Sequence, residues 1–330
     1  MNSDDKRKLK IVAKIINTAL KRSKHKIKVN WNDFRYDENN KYIRWQPKIL
    51  KSDGFFITEY GGDNDKFQKY LFSLIKNRKK DNGIFYHFIK FKHVLTLLKK
   101  KELQLSSLNY YCKSDPFEYY EFIKRYSNIE NLNFDYLKQR KDKYFMFCLT
   151  DSYRNQYLWD NYGGKENGVS LGIRFNNFME NEQLNNNFHF KDVYYDDGYD
   201  FEFINEIQFY LKNEMNKQLL LSGIDDFSIF YKRCRFSQEK EIRLCFDYYL
   251  YETRREWFKK NGHVLPEELK LDEKYKIFKY KYRDYIKIPL KNEFYEIQIS
   301  DIICGKNISE DQFKVLTSLK NKETLIWRRK

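Results

Sequence analysis

Proline and glycine are scarce in this chain, 4 and 12 among 330 residues. Collagen-like and Pro/Gly-rich disordered architectures are thereby excluded. Histidine is also sparse, at 5 residues, which leaves little material for a multi-histidine metal centre. The 5 cysteines (Cys112, Cys148, Cys234, Cys245 and Cys304) are scattered, odd in number and free of CxxC or CxxH pairs. Neither a disulfide framework nor a structural zinc site is indicated. No apolar run approaches the roughly 18 residues that span a bilayer. The opening "MNSDDKRKLKIVAKIINTALKRSKHKIKV" offers neither the apolar stretch nor the small-residue cleavage site of a signal peptide. The expectation is a cytoplasmic protein with no membrane partner. There is no GxxxxGKS/T, no strand–GxGxxG–helix, no HExxH and no GxSxG. Any chemistry must lean on carboxylates, hydroxyls, aromatics and one or two histidines.

What the chain has in quantity is aromatic side chains and positive charge. Apolar residues make up 41% and aromatics 18%, enough for a packed core. Lys and Arg number 63 against 47 acidic residues, a net charge of +16. Such a field attracts polyanions, so nucleic acid is the first partner to expect. A lysine-rich solvated surface accounts for the same surplus.

Organisation changes near "NRKKDNG" (77–83). Before it, Leu9, Val12, Ile15, Ile16 and Leu20 recur at helical spacing, with Lys and Arg on the other face. Residues 1–82 therefore read as a basic, partly helical N-terminal extension, and 83–330 as the main domain. In that domain "IFYHF" and "ELQLSSL" read as strands flanking an amphipathic helix. "SDPFE" has the spacing of a helix start, with Asp115 as cap, Pro116 first and Glu118 third. "KYFMFCLT" reads as a buried strand and "NQYLWDNYGG" as a short helix stopped by glycines. "GVSLGIRF", "FHFKDVYY" and "EKEIRLCFDYYL" read as strands, and 201–221 as a long helix. A charged linker surrounds "EELKLDEKYK", and a last helix starts at a capping box from Ser309 to Gln312. Short strands without repeated βα units predict an α+β fold, a compact mixed or antiparallel sheet rather than a doubly wound parallel one.

Two places could carry chemistry. In "SQEKEIRLCF", alternation puts Ile242, Leu244 and Phe246 on one strand face and Glu239, Glu241 and Arg243 on the other. Carboxylates at i and i+2 then stand about 7 Å apart, and one could orient a ligand while the other stabilises positive charge. A solvent-facing polar side with a cross-strand Glu–Arg pair explains the same pattern. In "IFYHF", His87 shares its face with Phe85 and Ile89; a buried, satisfied histidine and a ligand-binding one both fit. Trp159 and Tyr162, three apart on a helix, can stack on a ring or simply pack. Asp225, Asp226 and Glu239 are carboxylates that a metal-dependent nuclease could use.

The order "YHF", "SS", "SDPFE", "LWDNYGG", "EKEIR", "DIICGKNI" resembles a widespread bacterial family of uncharacterised proteins, over about residues 83 to 308. More weakly, "YHF…VLTLLKKKELQLSS" followed by a late Glu-x-Glu strand resembles ADP-ribosyltransferases, including nucleic-acid-modifying toxins. That resemblance implies an ADP-ribosyltransferase-like domain over 83–330 that uses NAD as substrate. It implies His87 on the nicotinamide ribose, Ser106 or Ser107 near the second strand's pocket position, Glu241 as catalytic carboxylate and Glu239 near the acceptor. Tyr110, Tyr111, Tyr162 and Trp159 compete for the ring that stacks on nicotinamide. It further implies a toxin or phage-defence setting, RNA or DNA as acceptor, and an antidote protein as a possible regulator. A nucleic-acid-binding protein without catalysis is the alternative, and a metal-dependent nuclease the third reading.

Overall fold

Period-two stretches of the sequence fold as strands because alternate side chains must leave opposite faces of a sheet. Period-3.6 stretches fold as helices with one buried stripe. The computed structural model describes residues 3–22, 28–36, 42–45, 66–78, 83–113, 115, 118–126, 134–176, 187–196, 200–220, 224–265, 269, 275–280, 283–292, 295–319 and 323–329. The chain divides into two compact units. The first comprises Met1–Lys76, Pro116–Leu137 and Tyr194–Cys234, and the second Asn77–Asp115, Lys138–Val193 and Arg235–Lys330.

In the first unit, the N-terminal basic stretch forms the helix Ser3–Arg22. Leu9, Val12, Ala13 and Ile16 are buried on it, the spacing of a single stripe. That stripe packs on the helix Glu202–Met215, which buries Phe203, Ile204, Ile207 and Leu211. Phe34–Tyr36, Tyr42–Trp45 and Gln218–Leu220 form a three-stranded sheet. An aromatic cluster of Phe122, Tyr126, Phe201, Phe227 and Tyr231 fills much of the rest. The helix expected from "SDPFE" runs Tyr120–Tyr126. Pro116 lies outside the described residues, and Glu118 instead pairs with Lys232 at 3.6 Å.

Among the described residues the second unit has ten strands, β1 Phe85–Lys90, β2 Glu102–Ser107, β3 Tyr144–Thr150, β4 Gly168–Asn176, β5 Phe188–Asp192, β6 Glu241–Asp247, β7 Phe278–Tyr280, β8 Arg283–Pro289, β9 Glu296–Cys304 and β10 Leu325–Arg328. They order as β7-β8-β2-β3-β1-β4-β9-β10, with β6 pairing both β3 and β5. Among the described residues of this unit every pairing is antiparallel except β9 with β10. The expected α+β class with a mixed sheet is what the chain adopts. One face carries the main core, including Phe85, Leu103, Leu105, Phe147, Leu149, Ile242 and Leu244, covered by Val94 and Leu97 of the helix Phe91–Lys100. A smaller cluster on the other face joins Phe88, Leu158, Trp159 and Ile303.

Several local expectations hold. The capping box closes the last helix, Glu310–Leu319: the Ser309 N–H donates to Gln312 Oε1 at 3.1 Å, and the Gln312 N–H donates to Ser309 Oγ at 3.2 Å. "FHFKDVYY" differs, breaking at Val193 into β5 and the strand Tyr194–Asp196 of the first unit. Most of the linker "EELKLDEKYK" lies outside the described residues. Among the described residues, no helix is long and apolar enough to cross a membrane.

Candidate functional site

All seven residues of β6 are buried. Strand alternation sends Ile242, Leu244 and Phe246 into the main core and turns Glu241 and Arg243 to the opposite face. Arg243 is wholly enclosed, and it holds Glu241 through a two-pronged pair: Nε to Oε1 at 2.8 Å and Nη2 to Oε2 at 3.2 Å. The polar side of this strand is therefore not solvent-facing, and the Glu–Arg pair is made within one strand rather than across two. Charge at this depth is tolerated only because the fork matches the carboxylate.

Glu239 needs correcting as well. It is not a strand neighbour of Glu241: it ends a 3-10 turn, Cys234–Glu239, and Lys240 at φ 46 breaks the extended chain before β6 begins. Glu239 is buried, and it accepts a hydrogen bond from the Tyr162 hydroxyl at 2.8 Å. Asn155 fastens the same two segments. Its amide donates to the Gln238 carbonyl at 2.7 Å, while its Oδ1 caps the helix Gln156–Asn161. Two residues singled out from sequence, Tyr162 and Glu239, are thus brought into contact, with Tyr162 about half exposed.

The second feature is a split in the sheet. β6 runs along one whole edge of β3, from Glu241↔Thr150 to Asp247↔Tyr144. The other edge is shared. β2 pairs there at Ser106↔Met146 and Ser107↔Phe145, and β1 pairs at Tyr86↔Thr150. Between them, among the described residues, β3 has no strand partner on that edge, and side chains take outward carbonyls along it. The Tyr111 hydroxyl donates to the Met146 carbonyl at 3.4 Å, and His87 Nδ1 lies 2.8 Å from the Cys148 carbonyl. A carbonyl only accepts, so Nδ1 carries the proton and, in the neutral ring, Nε2 is an acceptor. Burial lowers the His87 pKa to about 4, helped by Arg283 and opposed by the Cys148 hydrogen bond. The imidazole is neutral at physiological pH. Its ring lies stacked on Phe147, centroids 4.1 Å apart. Burial likewise pushes the Tyr111 phenol up.

The remaining predicted residues divide. Ser106 and Ser107 are both buried at the end of β2, and Ser106 shares its sheet face with Met146. Trp159 is fully enclosed. Its ring N–H donates to the Tyr153 carbonyl at 2.8 Å, and its ring meets Phe88 edge-on at 5.0 Å. It is a packing residue and not a pocket wall. Register puts Tyr86, Thr150 and Glu241 on one face, so His87, next to Tyr86, leaves β1 from the other. His87 and Glu241 flank the same strand without touching.

Sequence reading missed Arg283, which starts β8 and influences both His87 and Tyr111. Its signal was an arginine set among tyrosines in "KYRDY". The glycine motifs have a packing origin. A Cβ on Gly305 would stand 2.3 Å from the Glu166 carbonyl oxygen, so "GGKENG" and "CGKN" are two loops pressed together. Among the described residues, no group of three or more His, Cys, Asp or Glu could hold a metal ion. Asp225 and Asp226 belong to the first unit and Glu239 to the second.

No curated protein and no solved structure matches the chain. A domain-family model described as a protein of unknown function (DUF2971) matches residues 158–244. The matched span holds Trp159, Tyr162, Glu239 and Glu241 and stops short of His87, Ser106 and Ser107; over it, this chain is similar to that uncharacterised family.

Proposed function

We propose that the second unit is an NAD-dependent ADP-ribosyltransferase acting on nucleic acid. The observation that carries the reading is His87, a neutral imidazole fixed by its Nδ1–H at the open edge of β3, with Nε2 left as an acceptor. A sugar hydroxyl is the donor such a nitrogen would hold. Glu241, a buried carboxylate on the strand beyond β3 and on the sheet face opposite His87, is the carboxylate this reading assigns to the positive charge that develops at the ribose anomeric carbon as nicotinamide departs with the bonding electron pair. That role requires the sugar to enter the open edge between the two faces. An acceptor nitrogen or oxygen then bonds to that carbon and gives up its proton, with Glu239 the carboxylate assigned to that side. Ser106 and Tyr111 would border the ligand from β2 and the helix Leu108–Tyr111. The +16 charge favours RNA or DNA over protein as acceptor. A toxin or phage-defence effector restrained by an antidote protein is the setting such an activity would suit.

The test is nicotinamide release from labelled NAD, with RNA, DNA or protein fractions, by wild type and Glu241→Gln. Release and label transfer that depend on Glu241 are expected, with the unfolding midpoint of the variant checked because Gln deprives buried Arg243 of its carboxylate. No release from any mixture would remove the reading. One observation favours a second reading, nucleic-acid binding without catalysis: both oxygens of Glu241 are already engaged by Arg243. Under that reading, binding falls steeply with salt and Glu241→Gln leaves it unchanged.

A further inference from the structure

Several arginines of the second unit spend their forks on carboxylates, whereas Arg174, like Arg283, keeps a buried Nε with no hydrogen bond. Arg78 pairs with Asp192 and Asp151, Arg140 with Asp247, Arg243 with Glu241 and Arg329 with Glu166. Arg283 does not. Among the described residues it has no carboxylate partner, and its Nε is buried with no hydrogen bond. What holds it is aromatic: the guanidinium lies over the ring of Tyr110 at 5.2 Å and that of Tyr285 at 5.8 Å. Ring contacts fix the plane of a guanidinium and leave its N–H edges unspent. A desolvated donor without an acceptor is costly, and in native proteins it calls for an explanation.

Its position supplies one. Tyr285 pairs with Ser106 across β8 and β2. Tyr110 stands edge-on to Tyr111, whose hydroxyl donates to the Met146 carbonyl two residues along β3 from the carbonyl that holds His87. Arg283 thus borders the same open edge as His87. Its field reaches His87, Tyr111 and His93, the last being in the first turn of a helix whose neighbouring charged residues are Lys90 and Lys92. Arg283, Lys90 and Lys92 are the cations on this side, and Glu241 is the carboxylate whose field also reaches Tyr111.

We infer that Arg283 anchors a phosphate subsite at the open edge of β3, and that it takes the diphosphate of a dinucleotide whose sugar reaches His87. A planar fork clamped by two rings fits the paired oxygens of a phosphate. The identity of the dinucleotide rests on the transferase reading; the phosphate chemistry rests on Arg283 itself.

The experiment is calorimetric titration of the full chain with inorganic pyrophosphate, with ADP, and with a short oligonucleotide lacking terminal phosphates. Wild type, Arg283→Gln and Arg283→Lys are compared, with folding checked by the unfolding midpoint. Pyrophosphate and ADP should bind at least tenfold more weakly to Arg283→Gln. Arg283→Lys should fall between, because it keeps the charge and loses the fork. Equal binding of both probes by all three proteins, or no binding by wild type at millimolar concentration, overturns the inference. So does a loss confined to the oligonucleotide, which would place a backbone phosphate there instead. Pyrophosphate binding through Arg283 in a protein that never releases nicotinamide would end the transferase reading and keep the subsite.

Discussion

Replacing Arg243 by methionine should be among the most damaging single changes in the second unit. The side chain is wholly buried and both prongs of its fork end on Glu241, itself 6% exposed. Arg243→Met removes the guanidinium and leaves a carboxylate at the same depth, a situation that costs about 3–5 kcal/mol. At roughly 2–4 °C of Tm per kcal/mol for a unit of this size, the melting point should drop by roughly 6–20 °C. Glu241→Leu combined with Arg243→Met removes both charges and refills the space with apolar atoms. Such a replacement is neutral or stabilising in comparable sites, so the double variant should return to within about 1 kcal/mol of wild type. Urea unfolding followed by tryptophan fluorescence, applied to wild type, Arg243→Met, Glu241→Leu and the double variant, gives four stabilities and hence the coupling. A loss below about 1 kcal/mol for Arg243→Met, or strictly additive effects in the double variant, would refute the assignment of a buried pair.

Two further outcomes follow from the geometry. His87 has a folded pKa of about 4 against 6.5 for the free side chain, so between those values the unfolded chain binds a proton that the folded chain does not. Stability should therefore fall as pH drops from about 6.5 toward 4, by about 3 kcal/mol from this group alone, and His87→Gln should flatten that slope; an imidazole titrating near 6.5 by NMR would contradict the buried neutral ring. Gly305→Ala places a methyl group against the Glu166 backbone, whereas a Cβ on Gly83 meets nothing within 4 Å. The first should cost about 1–3 kcal/mol or more and the second close to nothing, as read by thermal melts; equal melting points would show that the two loops are not pressed together.

The longer strands of the second unit were legible from local pattern: Ile242 and Leu244 face the core that alternation assigned them, and "KYFMFCLT" is the buried strand that its continuous apolarity predicted. The capping box at Ser309 was legible for a similar reason, since both partners lie within one turn. Glu239 was misplaced because nothing in "EKEIR" announces the positive φ at Lys240 that ends the extended run. Spacing could not separate Trp159, fully enclosed on the helix Gln156–Asn161, from Tyr162, its C-cap and about half exposed. The open edge of β3 was out of reach. It exists because β1 and β2, joined through the helix Phe91–Lys100, share one edge of a strand that begins only at Tyr144, and only the pairing itself reveals that. The first unit, gathered from three separated segments, was hidden for the same reason.

The most direct test of the proposed site is NMR of His87 in the full-length Glu241→Gln protein, which should bind NAD without consuming it. Titration with NAD should move the ring Nε2 resonance as a ribose hydroxyl donates to it and leave Nδ1 fixed on the Cys148 carbonyl. If neither nitrogen responds at saturating NAD while wild type also releases no nicotinamide, His87 is a structural histidine and the transferase account is wrong.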